Sequence, residues 1–473
     1  MNIKLLLPLL FLLSLSCSDP SPVAEPSSPN VVMIFVDDLA YADIGVYGAT
    51  DYETPFLDQM AAEGVRFTDF YASQPVCSAS RAALLTGTYS NRIGIHGALG
   101  PSNTHGIHED ELTMAELFKS KGYTTAIYGK WHLGHHPQFL PTRHGFDHFY
   151  GIPYSNDMWP YHPENPEAWG DLPTFDQEEI VGYNTDQTRF TTDFTMRSVA
   201  FIKQSVDSNT PFFLYLAHPM PHVPLFVAEE REGHSGAGLF GDVIKEIDWS
   251  VGQVLNALKE LNVDDNTLVM FASDNGPWLS YGNHAGSAAP LREGKGTTWE
   301  GGVRVPFIAR WPEMLPANLE VSTPAMTIDI LPTMAELVEA QAPSNPIDGK
   351  SIWPLMTGES EDMVHEAYYF YYHRNQLHSL RSGKWKMYFP HRYRSMQGQE
   401  LGKEGMPGKY THFNLDTVEL YDLELDIEEQ NNVATDFPDV VKALSTLADS
   451  ARADMGDSLL EIEGANVREP GRL

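Results

Sequence analysis

Four apolar runs, each stopping at a cluster of polar residues, constrain this chain more than any other feature. Residues 31–36 are uninterrupted hydrophobic sequence and end in Asp37-Asp38. Residues 123–128 end in Gly129-Lys130-Trp131-His132, and residues 212–217 in His218-Pro219-Met220-Pro221-His222. Residues 268–272 end in Ser273-Asp274-Asn275-Gly276. Short apolar runs bounded this way read as strands buried on both faces, the habit of parallel sheets. Helical patterns lie between them. Residues 113–121 are closed by Gly122, 192–205 form a second helix, and 242–261 place Val243, Ile247, Val251, Val254, Leu255 and Leu258 on one face. The alternation predicts an α/β sheet. Such sheets bind ligands beyond the carboxyl ends of their strands.

The residues gathered at that edge are Asp37, Asp38, Lys130, His132, His222, Asp274 and Asn275. Taken singly, each is more simply a loop or capping residue. At four strand ends together, coincidence is a poor explanation. Three carboxylates and a carboxamide are hard oxygen donors that suit Ca²⁺ or Mg²⁺. Asp37 and Asp38 are adjacent, so they converge on one cation only if the chain turns there. Unpaired, that much negative charge would be costly.

Residues 81–86 read as helical, with Gly87 as the stop. Cys77 then lies near a helix N-terminus, which favours an anion. Arg81, four residues on, shares its face and offers a fork for that charge. A buried cysteine opening a core helix accounts equally well for this stretch alone. Residues 291–306 are Gly-rich, with Lys295 between Gly294 and Gly296 able to approach an anion closely. A flexible loop with a solvated lysine is the alternative. An apolar strand follows at 307–309.

The segment Cys77-Ser78-Ala79-Ser80-Arg81 resembles the type I sulfatase signature, Cys-x-Pro/Ala-x-Arg, whose cysteine is oxidised to formylglycine. Ala79 stands where Pro is commoner. Asp37-Asp38, Gly129-Lys130-Trp131-His132, Asp274-Asn275-Gly276 and Gly294-Lys295-Gly296 occur in the family's order. Ile152-Pro153-Tyr154-Ser155 is most similar to the arylsulfatase A and N-acetylgalactosamine-6-sulfatase branch. The resemblance implies an alkaline-phosphatase-like large mixed sheet flanked by helices, with a smaller C-terminal antiparallel sheet domain. It implies a sulfatase using Ca²⁺ and formylglycine. Asp37, Asp38, Asp274 and Asn275 would bind the ion, with oxidised Cys77 adding an oxygen. Arg81 would hold the formylglycine hydrate and neutralise nearby charge, and His132 would hydrogen-bond the hydrate. Lys130, Ser155, His222 and Lys295 would contact the sulfate group. One hydroxyl of the hydrate, deprotonated with help from Asp274, would attack sulfur. His222, with Lys295, would protonate the leaving alcohol, and His132 would take the proton of the second hydroxyl. The implied partners are a formylglycine-generating enzyme and a sulfated carbohydrate substrate. A phosphoester or phosphonate hydrolase of the same superfamily is one alternative. A glycan-binding lipoprotein without catalysis is another.

The formal charge of −33 argues against nucleic acid as a partner and requires a locally positive site if the substrate is anionic. Residues 1–17 read as a lipoprotein signal peptide, since Ser14-Leu15-Ser16-Cys17 resembles a lipobox. A lipid anchor at Cys17 would make the protein an exported cell-envelope lipoprotein, at the outer membrane or in the periplasm of a Gram-negative bacterium. A plain cleaved signal and a secreted protein are the alternative. Residues 18–30 read as a flexible tether. The only two cysteines, Cys17 and Cys77, leave no disulfide if both are modified. The catalytic domain is expected over 31–350 and a smaller α+β domain over 351–473. The latter has short strands at 367–372, 377–380, 384–389 and 419–423 and a helix at 438–455. It also holds His373, Arg374, His391, Arg392 and Arg394 interleaved with Tyr371, Tyr372 and Tyr393. That mixture suits a sulfated sugar or a solvated hairpin edge equally.

Overall fold

The computed structural model describes residues 28–341 and 343–473. The signal segment, Cys17 and most of the expected tether lie outside the described residues. Asn30 opens the first strand instead of closing the tether, and its side chain donates to Thr267 Oγ1 at 3.3 Å.

Ten strands form one mixed sheet. In chain order they are β1 (Asn30–Val36), β2 (Val65–Phe67), β3 (Thr124–Lys130), β4 (His148–Ile152), β5 (Pro173–Asp176), β6 (Glu179–Tyr183), β7 (Phe212–Ala217), β8 (Thr267–Ser273), β9 (Phe307–Arg310) and β10 (Leu319–Val321). Their order across the sheet is β10-β2-β9-β8-β1-β7-β3-β4-β5-β6. The central five, β8-β1-β7-β3-β4, are parallel; antiparallel pairings begin at β9 and β5.

The unbroken apolar runs follow from this architecture. Val31, Met33 and Phe35 enter one core, and Val32, Ile34 and Val36 enter the other. Successive strand residues face opposite sides, so a strand covered on both must be apolar throughout. On one face pack α2 (Cys77–Thr86), α3 (Met114–Ser120) and α6 (Ile330–Leu337). On the other pack α1 (Pro55–Ala62), α4 (Phe190–Asp207) and α5 (Gly238–Glu260). All six residues of the α5 stripe are buried in the second core. Thr113 is the N-cap of α3 and not its first helical residue: its hydroxyl accepts from the Glu116 N–H, and the Glu116 side chain accepts from the Thr113 N–H.

Downstream, β11 (Tyr368–Tyr372), β12 (Gln376–Ser382), β13 (Trp385–Tyr388) and β16 (Glu419–Asp422) make an antiparallel sheet, covered by α7 (Pro438–Met455). β14 (His391–Ser395) and β15 (Thr411–Leu415) form a separate hairpin. A fully buried charge network ties this region to Tyr71 and to the short helix Glu300–Val303 that precedes β9. Glu300 accepts from Lys386 Nζ at 2.5 Å and Tyr71 Oη at 2.7 Å, and its own N–H donates to Glu429 Oε2 at 2.9 Å.

Candidate active site

The carboxyl edge of the parallel strands carries the site. β1 ends at Val36 and the chain turns at once, because Asp38 has φ +65°, a left-handed conformation Asp tolerates better than most residues. β3 delivers Lys130 as its last residue, after Gly129 at φ +124°. A Cβ on Gly129 would lie 1.9 Å from the Ala217 carbonyl oxygen, so only glycine lets β3 lie this close to β7 where Lys130 emerges. Gly129→Ala is expected to cost at least about 2 kcal/mol of stability, combining a strained φ with a backbone overlap. Denaturant unfolding checks this, and a loss under about 0.5 kcal/mol, the range of a neutral surface change, would contradict it. β7 leads to His222 and β8 to Asp274-Asn275. α2 begins at Cys77 itself and ends at Gly87 in the left-handed region. The loop bearing Lys295 is pinned by two backbone bonds, Lys295 N–H to the Pro277 carbonyl and Gly296 N–H to the Pro75 carbonyl, each 2.9 Å.

These residues bond to one another. Asp37 Oδ2 takes Lys130 Nζ, and Arg81 Nη2 at 3.2 Å. Arg81 donates Nε and Nη2 to Asp274 Oδ2 at 3.1 and 2.9 Å and Nη1 to the Lys130 carbonyl at 3.2 Å. Asp274 Oδ1 accepts the Asp38 N–H at 3.1 Å, and Asn275 Nδ2 donates to Asp38 Oδ1 at 2.7 Å. Lys295 Nζ reaches both Asp38 oxygens, at 2.6 and 2.9 Å, and Cys77 Sγ at 3.3 Å. Lys130 Nζ donates to Ser155 Oγ at 3.1 Å. His222 Nε2 lies 3.6 Å from Asp38 Oδ2. All sequence-singled site residues but His132 thus share one network; His132 bonds the Leu99 carbonyl at its margin, at 2.7 Å. The Cys77–Arg81 spacing had pointed to an arginine on the nucleophile's charge. The fork is taken by Asp274 and Asp37, the nearby charge that Arg81 was expected to neutralise, and Lys295 is the cation bonded to sulfur.

Electrostatics follow from burial. Burial opposes ionisation of Asp37, but Lys130 and Arg81 outweigh it and hold the carboxyl well below its ordinary value. Burial and then the Asp37 charge push Asp274 up to about 7. Burial, reinforced by Asp37, pushes the Cys77 thiol far up, so the unmodified side chain is neutral despite its helix N-terminus. Burial and Lys295 push His222 down to about 3. Burial, then Lys130 and Arg81, lower His132 well below the usual imidazole range. A carbonyl only accepts, so the ring nitrogens bonded to carbonyls carry hydrogen: Nε2 of His132 and Nδ1 of His222, on Val223 at 2.6 Å. The proton-accepting ends are His132 Nδ1, buried without a partner, and His222 Nε2.

The donor set fits a hard divalent cation. Asp37 Oδ1 and Asn275 Oδ1 are buried oxygens with no hydrogen-bond partner. Ligand atoms of Asp37, Asp38, Cys77 and His222 lie within 4.8 Å of one another. Asp274 is more engaged, both oxygens being taken by Arg81 and the Asp38 N–H. Asp37, Asp38 and Asp274 are balanced by Arg81, Lys130 and Lys295, so a divalent cation would leave the pocket net positive inside a strongly acidic chain.

Two contributors carried weaker sequence signals. Trp278 sets its ring 5.6 Å from His222 and 4.8 Å from Lys295 Nζ; an aromatic just after Asn275-Gly276-Pro277 was the available clue. Arg394, on β14, donates Nε to the Lys295 carbonyl at 3.0 Å. Its cluster was visible in the sequence, but its meeting with Lys295 was not.

A nucleophile position at a helix start, flanked by two lysines and hard oxygen ligands at a sheet edge, defines a hydrolase of anionic esters. The Sulfatase family model matches residues 29–340, and N-sulphoglucosamine sulphohydrolase, C-terminal, matches 294–453. The chain is 40% identical over 385 residues to arylsulfatase A of Bos taurus, covering 78% of this chain and 76% of that one. It is 37% identical over 401 residues to N-acetylgalactosamine-6-sulfatase of Canis lupus familiaris, covering 80% and 75%. A solved structure of Ps i-CgsB in complex with k-i-k-neocarrahexaose superposes with a TM-score of 0.76 at 29% identity, covering 89% and 92%. This chain belongs to the sulfatase family and is a sulfuric ester hydrolase of alkaline-phosphatase-like fold.

Proposed function

We propose that this sulfatase removes sulfate from a sulfated polysaccharide or oligosaccharide, with Cys77 oxidised to formylglycine and Ca²⁺ as its metal. The observation that carries this reading is the pair of unpartnered buried oxygens, Asp37 Oδ1 and Asn275 Oδ1, beside a neutral Cys77 at the first residue of α2. A neutral thiol is a poor nucleophile, and the unsatisfied oxygens ask for a cation. Asp37, Asp38, Asp274 and Asn275 would hold Ca²⁺, whose chemistry is to polarise the ester and offset charge on oxygen. The oxidised residue 77, when hydrated, supplies two hydroxyls, one to attack and one to permit release.

The chain's own residues do the rest. Lys130, Lys295 and Ser155 bind the sulfate oxygens, and Arg81 favours the ionised forms of Asp37 and Asp274 against their burial. Lys295, held protonated by Asp38 against its burial, and His222 Nε2 are the donors to the leaving alcohol. His222 is neutral before substrate binds; an anionic sulfate beside it favours the imidazolium. His132 Nδ1 accepts a proton from residue 77. Carbohydrate as the substrate class rests on the names of the relatives, one a sulfatase of N-acetylgalactosamine-6-sulfate and one solved with an oligosaccharide. Maturation by a formylglycine-generating enzyme and export as a Cys17-anchored lipoprotein complete the proposal.

The test co-expresses the chain with a formylglycine-generating enzyme and measures sulfate released from sulfated polysaccharides, their oligosaccharides and an aryl sulfate, with Cys77→Ala as control. Release from a glycan, absent in the control and lost with a calcium chelator, is expected. No release with residue 77 shown by mass to be the aldehyde, or phosphate release exceeding sulfate release, overturns it.

A further inference from the structure

Among the described residues, the arginines of this acidic chain are nearly all ion-paired. The exceptions are Arg292, Arg374, Arg392 and Arg394. Arg292 bonds the Glu429 carbonyl and two tyrosine hydroxyls and stacks on Trp299. The other three gather at the β14–β15 hairpin and the β11–β12 turn beside it. Arg392 and Arg374 are exposed. Arg394 pairs across the hairpin with exposed His412. His373 lies close to both: burial and then the charges of Arg394 and His412 lower its imidazole below the ordinary value. Like charges crowded without counterions destabilise a surface. Glu293 feels the Arg394 charge but is bonded to Ser395 Oγ at 2.5 Å and forms no ion pair with it. With 64 acidic residues against 31 Lys plus Arg, three neighbouring arginines left without an ion pair are poorly explained by chance.

The cluster touches the sulfate site. Arg394 donates to the Lys295 carbonyl and stacks on Tyr410 at 4.4 Å, and its guanidinium lies 5.9 Å from the Trp278 ring that also flanks Lys295 and His222. Gly296 makes room for it: a Cβ there would sit 2.6 Å from the guanidinium carbon.

We propose that Arg374, Arg392, Arg394 and His412 form a second anion subsite, contiguous with the catalytic pocket, that binds a further sulfate group of a multiply sulfated oligosaccharide. The exposed forks of Arg374 and Arg392 suit sulfate bidentately; Arg394, whose Nε and Nη2 donate to the Lys295 carbonyl, adds its charge and Nη1, and Trp278 supplies an apolar face for the intervening sugar. This rests on the glycan reading above, so its test reads binding and not turnover.

The variant Cys77→Ala is titrated with fluorescent sulfated hexasaccharides from carrageenan, chondroitin sulfate and heparin, each beside its desulfated counterpart. Arg374→Glu/Arg392→Glu is then added. Arg394 stays, because it also supports Lys295. Lys203→Glu/Lys442→Glu, two exposed lysines on α4 and α7, makes the same change in net charge elsewhere. Thermal unfolding verifies that each variant is folded. The subsite predicts tighter binding of a sulfated probe than of its desulfated form, weakened at least tenfold by the arginine reversals and less than twofold by the lysine reversals. Equal weakening by both pairs, no effect of the arginine pair, or equal affinity for a DNA 12-mer overturns the proposal. So does failure of the intact hairpin to bind any sulfated probe. Sulfate release by the matured Cys77 protein is scored separately, so the failure of either reading is distinguishable from that of the other.

Discussion

Cys77→Ser, in protein otherwise fully matured, is expected to lose steady-state sulfate release by at least about 10³-fold, the scale on which removing a nucleophile acts. The seryl Oγ occupies the position of Sγ at the start of α2, with Lys295 Nζ beside it. It can attack sulfur once: the S–O bond to the alcohol breaks, the alcohol takes a proton, and sulfate remains esterified to serine. A serine ester has no second hydroxyl from which His132 Nδ1 could draw a proton, so nothing expels the sulfate. The expected signature is a burst of alcohol no larger than one equivalent, with residue 77 heavier by one SO₃ group in an intact-mass spectrum. Sustained turnover by this variant contradicts the assignment of residue 77.

The second large effect is on stability. Arg81→Met removes a fully buried cation that binds Asp274 through two nitrogens, Asp37 through one and the Lys130 carbonyl through a third. The methionine is apolar and of similar reach, so volume is not the issue. What remains is two carboxylates in the interior with Lys130 as the nearest cation. Breaking a buried ion pair by deleting one partner costs about 3–5 kcal/mol. We expect a loss in that range by denaturant unfolding, with Arg81→Lys recovering less than half, because an ammonium cannot span three acceptors in one plane. A loss below about 1 kcal/mol, the worth of an ordinary surface pair, would show that the carboxylates are protonated in the cation-free protein.

Much of the site was legible because it sits on local signals. Each apolar run stops where its strand stops, and polar residues just past a parallel strand lie at the ligand edge by construction. Asp37, Asp38, Lys130, His222, Asp274 and Asn275 were all found in this way. The helical face carrying Cys77 and Arg81 was likewise local. Other parts carried little local signal. β5 and β6 are short and partly polar, and β14 sets two arginines around a single tyrosine, Tyr393, in a pattern that a solvated loop shares. Helix starts lie a few residues before the periodic pattern, as with α5, which opens at Gly238 and not Asp242; the two glycines of its first turn, Gly238 and Gly241, read as loop.

The sequence by itself determined the alternation of strands and helices, the two-sided burial of the sheet, and which polar residues reach its edge. Periodicity and punctuation encode these within a few residues of one another. Tertiary structure alone decided the partners. Arg81 meets Asp274 across 193 residues, and Lys295 meets Cys77 across 218. Such meetings depend on strand order and loop closure, which no short window contains. Hence the arginine that spacing places near Cys77 meets its carboxylates through the fold, and an arginine from the distant hairpin reaches Lys295.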